Sequence, residues 1–146
     1  MKTANISIDN ITKSRICRKK TKKLIMLFED MHKCNVDTLS ISFINDEEMI
    51  DLNKEHLKHE GSTDIITFTY EKDLNNLDGE ILICVDEAKR QARQYKVKLI
   101  NELNRLVFHG LLHLIGYKDQ TKKEKEIMHK CENELLKYLE ENNIKS

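Results

Sequence analysis

LINELNRLVFHGLLHLIGYKD, residues 99–119, is the stretch whose reading decides the fold. From Leu99 to Ile115 apolar side chains fall on nearly every face of a helix: Ile100, Leu103, Leu106, Val107, Phe108, Leu111, Leu112 and Leu114. A helix that is apolar all round belongs inside a protein, not on its surface. Gly116 is placed to end it, since glycine can take the left-handed conformation that reverses the chain. Two histidines interrupt the apolar run. His109 and His113 stand four apart, so they project from one side of the helix and can share a tetrahedral metal ion. Burying two imidazoles among Leu, Val, Ile and Phe costs free energy unless their nitrogens find partners, and a metal satisfies both at once. Asp119, three residues beyond Gly116, can supply a third ligand through oxygen.

Outward from this helix the periodicity changes several times. Ile6 and Ile8 alternate with polar neighbours, and so do Leu39, Ile41 and Phe43, which marks two short strands. Between them the pattern turns helical from Thr12, with Leu24, Leu27 and Phe28 as its apolar stripe. Asn45 and Asp46, followed by Glu47 and Glu48, have the chemistry of a helix start. Ile65–Tyr70 is β-rich throughout. Asn75, Asn76, Asp78 and Gly79 predict a turn, and residues 80–85 predict a fourth strand. Asp86 is expected to cap the next helix, which carries Ala88, Ala92 and Tyr95 at helical spacing. Thr121-Lys122-Lys123-Glu124 is a capping box, opening a last helix with Ile127, Cys131, Leu135 and Tyr138 inward. The order βαβαββααα predicts an α/β or α+β domain, with one four-stranded sheet packed on the buried central helix. Residues 1–146 read as a single domain, since no repeat or linker divides them.

The 146 residues are 39% hydrophobic, 34% charged and 5% aromatic, with no Pro and no Trp. That suits one compact domain and excludes collagen, a Pro-rich linker or a disordered chain. Lys plus Arg and Asp plus Glu balance at 25 each, so only the distribution of charge can point to nucleic acid. Between Asn10 and Phe28 lie Lys13, Arg15, Arg18, Lys19, Lys20, Lys22 and Lys23, with no acidic residue among them. Such a run is either a solvated helix face or a stripe for an RNA backbone. Cys17, Cys34, Cys84 and Cys131 form no C-x-x-C pair, which argues against a cysteine zinc site. They are expected to be reduced thiols in the cytoplasm. No apolar stretch approaches the roughly 18 residues of a membrane span, so no membrane partner is expected. His56 and His59 sit among Glu55, Lys58 and Glu60 and read as exposed.

The spacing His109-x3-His113-x2-Gly116-x2-Asp119 follows the zincin peptidase layout H-E-x-x-H-x-x-G-x-x-H with two differences. Gly110 stands where those enzymes carry their glutamate general base, and Asp119 replaces the third histidine. Without that carboxylate, peptidase chemistry lacks its usual proton acceptor. HGLLHLIGYKD, residues 109–119, instead resembles H-G-x-L-H-L-x-G-Y-D-H, the signature of the YbeY family of endoribonucleases. Residues 63–68, TDIITF, are similar to that family's T-D-V-L-S-F strand. Residues 79–84, GEILIC, are similar to its G-D-I-x-I-C strand, and Leu52-Asn53 falls where the family has L-N before a basic loop.

The resemblance implies a zincin-like α/β fold with one mixed sheet. It also implies a single-strand-specific, metal-dependent endoribonuclease that matures ribosomal RNA, at the 16S 3′ end, and serves ribosome quality control. One divalent metal, most simply Zn2+, would be held by His109, His113 and Asp119. Single-stranded RNA and the ribosome or a ribosomal subunit would be its partners. Lys19, Lys20, Lys22, Lys23 and Lys58 are candidate phosphate contacts, and the residues assign no general base. The chain departs from the pattern at Asp119, a harder ligand than histidine that favours Mn or Mg more than histidine does. It departs again at Leu57, where the family places an arginine. Two other readings stay open: a ribosome-associated metal-binding factor with little nuclease activity, and a zincin-like peptidase, which Gly110 opposes.

Overall fold

The computed structural model describes residues 4–57, 63–71 and 73–142, with backbone only at 56 and 57. The chain runs through β1 (Asn5–Asn10), α1 (Arg18–His32), β2 (Val36–Ile44) and α2 (Asp46–Leu52), then a π-helical turn at Asn53–Leu57. It continues through β3 (Ile65–Glu71), β4 (Leu77–Cys84), α3 (Val85–Tyr95), α4 (Leu99–Leu114) and α5 (Lys122–Asn142). Among the described residues the strands form one sheet in the order β1-β2-β4-β3. β1 and β4 run parallel to β2 on either side of it, and β3 is antiparallel to β4. The predicted mixed α/β architecture is therefore the observed one. No helix among the described residues is long and apolar enough to cross a membrane.

Period-two alternation sends the strand side chains to two cores. Ile81 and Ile83 join Leu39, Ile41 and Phe43 in the larger one, where α1, α4 and α5 pack. Leu82 and Cys84 face the other way, against Ile44, Met49 and Ile66 under α2. A strand buried on both faces needs a continuous apolar run, which is why β4 reads Ile-Leu-Ile-Cys. α4 is buried along most of its length, from Leu103 to Leu114. Two glycines let it settle onto the sheet. A Cβ on Gly110 would stand 2.9 Å from Ile81 Cδ1 and 3.1 Å from Ile65 Cδ1. A Cβ on Gly79 would stand 2.6 Å from Leu114 Cδ2 and 2.9 Å from the Phe68 carbonyl oxygen.

Two of the three helix starts expected from cap chemistry have their caps. Asn45 accepts from the Glu48 amide at 3.1 Å. Thr121 Oγ1 accepts from the Glu124 amide at 3.1 Å while Glu124 accepts from the Thr121 amide at 2.9 Å. Other expectations are corrected. α1 begins at Arg18, not Thr12, because Asn10 Oδ1 accepts from the Thr12 amide at 2.9 Å and its amide group donates to the Ser14 carbonyl at 2.8 Å. Those side-chain bonds compete with helix. Gly79 lies inside β4 rather than in a turn, and the turn is built on Asp73, which accepts from the Asn75 amide. Asp86 does not cap α3; it sits in the first turn and accepts from the Asp46 amide at 2.8 Å. Tyr95 is exposed. The inward face of α5 is Met128, Glu132, Leu135 and Leu139, with Ile127 exposed. Leu135 belongs to both faces, and the other three positions each stand one residue beyond those read off the apolar residues.

Candidate metal centre

One helical turn separates His109 from His113 on α4, and the chain reversal behind them completes the group. Gly116 has φ +107°, a conformation that disfavours any side chain although the space around it is open. Its amide donates to the His113 carbonyl at 3.0 Å, and the Tyr117 amide donates to the Leu112 carbonyl at 3.0 Å. The reversed chain therefore runs back along the end of α4. Asp119 Oδ2 arrives 3.2 Å from His109 Nε2 and 3.4 Å from His113 Nε2, and the two Nε2 atoms are 3.0 Å apart. Ligand atoms about 2.0–2.1 Å from a tetrahedral ion stand roughly 3.3 Å from one another, so these separations suit one small divalent cation. The side chains of His109, His113 and Asp119 are 14%, 22% and 37% exposed, so the group opens to solvent on the aspartate side.

The hydrogen bonds on the far side of each ring fix what the near side offers. His113 Nδ1 is 3.0 Å from the Tyr117 carbonyl, which can only accept, so Nδ1 carries the proton and the neutral ring presents a lone pair at Nε2. His109 Nδ1 is 2.6 Å from Glu132 Oε2 and donates to it. With both rings in that tautomer, two imidazole nitrogens and a carboxylate oxygen face one another as possible ligand atoms, and a cation among them would replace the proton that otherwise bridges the 3.0 Å Nε2–Nε2 contact. Three such donors are a zinc-type set. Asp119 takes no part in capping α5, because Thr121 and Glu124 cap each other.

Behind His109 lies a buried ionic chain that sequence reading missed. Arg105 Nη1 donates to Glu132 Oε1 at 2.9 Å, and its Nε and Nη2 grip Glu102 at 3.0 and 2.5 Å. Glu102 and Glu132 are almost wholly buried. Burial works against a charged His109, but the hydrogen bond to Glu132 and the charges of Glu132, Asp119 and Asp64 outweigh it and raise its pKa. Burial likewise opposes ionised Glu132, yet the bonds and charges of His109 and Arg105 hold its pKa below the ordinary value. A signal was present in the sequence. Glu102, Arg105, His109 and His113 recur at helical spacing down an otherwise apolar helix, a polar stripe that demands polar partners. Asp64, at the entrance to β3, was also missed; its carbonyl accepts from the Cys84 amide and its side chain from Gln91.

The other predicted residues lie elsewhere. Lys19, Lys20 and Lys22 are exposed and Lys23 half-buried in the first turns of α1, outside the His109–His113–Asp119 group. Lys20 lines a shallow cleft with Ile100, Leu103 and Asn104, towards the opposite end of α4 from His113. Lys58 and His59 fall outside the described residues, as do the side chains of His56 and Leu57. Asp46, Cys84 and Asp86 also cluster, but Arg90 binds both Asp46 carboxylate oxygens at 2.9 and 2.7 Å, and Asp86 and the Cys84 thiol also bond to Asp46. That cluster ties α2 to β4 and α3.

The family model described as Endoribonuclease YbeY matches residues 3–140. A protein of that name from Cytophaga hutchinsonii is 39% identical over 104 residues, covering 71% of this chain and 73% of the relative. Another from Chloroherpeton thalassium is 34% identical over 132 residues, covering 90% and 93%. A solution structure from Thermotoga maritima superposes with a TM-score of 0.64 at 25% identity, covering 92% of this chain and 88% of that one. With a matched fold and a matched sequence over nearly its full length, the chain belongs to the YbeY endoribonuclease family.

Proposed function

We propose that the protein is a metal-dependent endoribonuclease that cuts single-stranded ribosomal RNA during ribosome maturation in the cytoplasm, with His109, His113 and Asp119 as its metal ligands. The observation that carries this reading is the convergence of three possible ligand atoms, two imidazole nitrogens and a carboxylate oxygen, within 3.4 Å of one another and open to solvent on one side. Bound there, a divalent metal, most simply Zn2+, would supply Lewis acidity toward a phosphoryl oxygen. The chain's own residues set the rest. His109 and His113 are held as acceptors by Glu132 and the Tyr117 carbonyl, and Asp119 offsets metal charge from the solvent side. The whole chain works as one domain in this reading, since α1, α4, α5 and the sheet share one core. A peptidase reading finds no support, because Ile81 and Ile65 occupy the space a Gly110 side chain would need.

The deciding experiment is cleavage of single-stranded and duplex ribosomal RNA fragments by purified protein, before and after chelation, with metal content measured alongside. About one metal per chain, cleavage confined to single strands, and loss on chelation with recovery on adding zinc or manganese are expected. Cleavage indifferent to chelation would overturn the proposal.

Ribosomal RNA would reach the site over the basic start of α1. Neutralising Lys19, Lys20, Lys22 and Lys23 together is expected to weaken RNA binding. Each phosphate left without its lysine should flatten the slope of log affinity against log salt by about 0.7. An unchanged slope would make this stretch an ordinary solvated helix face.

A further inference from the structure

We propose that Glu132 is a positioning residue of the metal centre: clamped by Arg105, it fixes His109 in the Nδ1–H tautomer and aims the Nε2 lone pair at the metal. The inference rests on reading His109, His113 and Asp119 as metal ligands. Its starting point is a charge imbalance. The chain Glu102–Arg105–Glu132 places two carboxylates, both almost wholly buried, on one guanidinium. A bridge between α4 and α5 would need only one of them. Buried ionic groups are commonly no more stabilising than apolar ones of the same shape, so a surplus buried carboxylate calls for a task.

The geometry supplies that task. Arg105 already engages both Glu102 oxygens, and its remaining nitrogen takes Glu132 Oε1. Exposed His129 stands 3.5 Å from that same oxygen. Oε2 is left to face His109 Nδ1 at 2.6 Å. Arg105 and His109 lie four apart on α4, so the clamp and the ring it serves rise from the same side of one buried helix. A free neutral imidazole prefers its proton on Nε2, which would put a hydrogen where the ligand lone pair is needed. The ionised Glu132 reverses that preference. A carboxylate behind a ligating histidine both orients the ring and makes it a stronger donor, and its loss typically costs about 10–100-fold in metal affinity.

Two measurements test this. Imidazole ¹⁵N spectra of the metal-free wild-type protein, above the pH at which His109 titrates, are expected to show the Nδ1–H tautomer. In Glu132→Gln the ring is expected to shift toward Nε2–H, and zinc affinity, measured against a chromophoric chelator, to fall about 10–100-fold. A residue that merely joined two helices would alter melting and leave both readouts in place. Absence of zinc binding by the wild type would overturn the ligand reading. An Nε2–H ring in the wild type, or a folded Glu132→Gln that binds zinc within about threefold of wild type, would overturn the positioning role alone. If Glu132→Gln does not fold, the wild-type tautomer still decides.

Discussion

Replacing His113 with alanine is expected to strip the purified protein of its metal and to cut cleavage of single-stranded RNA by on the order of 10³-fold. Metal stabilisation of a phosphoryl transition state is worth several kcal/mol, and each 1.36 kcal/mol is about tenfold in rate. The fold should survive, because His113 is partly exposed and its ring bonds to Tyr117 and His109, not to the sheet. Asp119→Ala tests the third ligand by itself: its loss is expected to weaken metal binding while the two imidazoles remain, and unchanged metal affinity in that variant would remove Asp119 from the ligand set. Metal analysis after dialysis, paired with thermal melting of each variant, reads both. Full metal content in His113→Ala would mean the ion sits elsewhere.

Gly110→Glu is the second large effect. It would restore the glutamate of the zincin peptidase pattern, and it is expected to cost about 4 kcal/mol or more without conferring peptidase activity. Overpacking contributes about 1–3 kcal/mol, and an unpaired buried carboxylate adds several more. The better helix propensity of glutamate returns only about 0.5–1 kcal/mol. The cause is local: Ile81 Cδ1 and Cγ2 and Ile65 Cδ1 would lie within 3.1 Å of the new Cβ. Denaturant unfolding measures the loss. A variant as stable as the wild type would show that α4 can lift from the sheet, and the packing account of Gly110 would be wrong.

The same close approach explains what could and could not be read from the residues alone. α4 was legible because its burial is written on every face, and the two capped helix starts because their chemistry is local in the chain. Gly79 was not: a glycine between Asp78 and Glu80 has the chemistry of a turn. Its actual reason is the approach of Leu114, thirty-five positions away and invisible to any short window. The α5 face was misread for a related cause. Periodicity searches follow apolar residues, and Glu132 is buried because Arg105 and His109, on another helix, neutralise and use it. The three metal-ligand candidates were legible from spacing, whereas the groups that orient them depend on tertiary packing.

The reversal at Gly116 has a consequence for how the molecule opens. It places Asp119 on the histidines just before α5 begins, and α5 then returns Glu132 to the same histidine. α5 is otherwise docked by Met128, Leu135 and Leu139 with Cys131 and Leu136 beside them, by the Arg105–Glu132 bridge and by Tyr138 donating to Asp30, with much of its surface in water. Such an element is suited to partial detachment well below the free energy of global unfolding. An ion bound by α4 and Asp119 would act as a clasp on that motion, because it binds only the closed arrangement. Backbone amides of α5 and of the end of α4 would then slow their exchange with solvent together when the metal is present, as one cooperative unit. Those of β1 and β2, in the half of the sheet away from β3, would exchange as before.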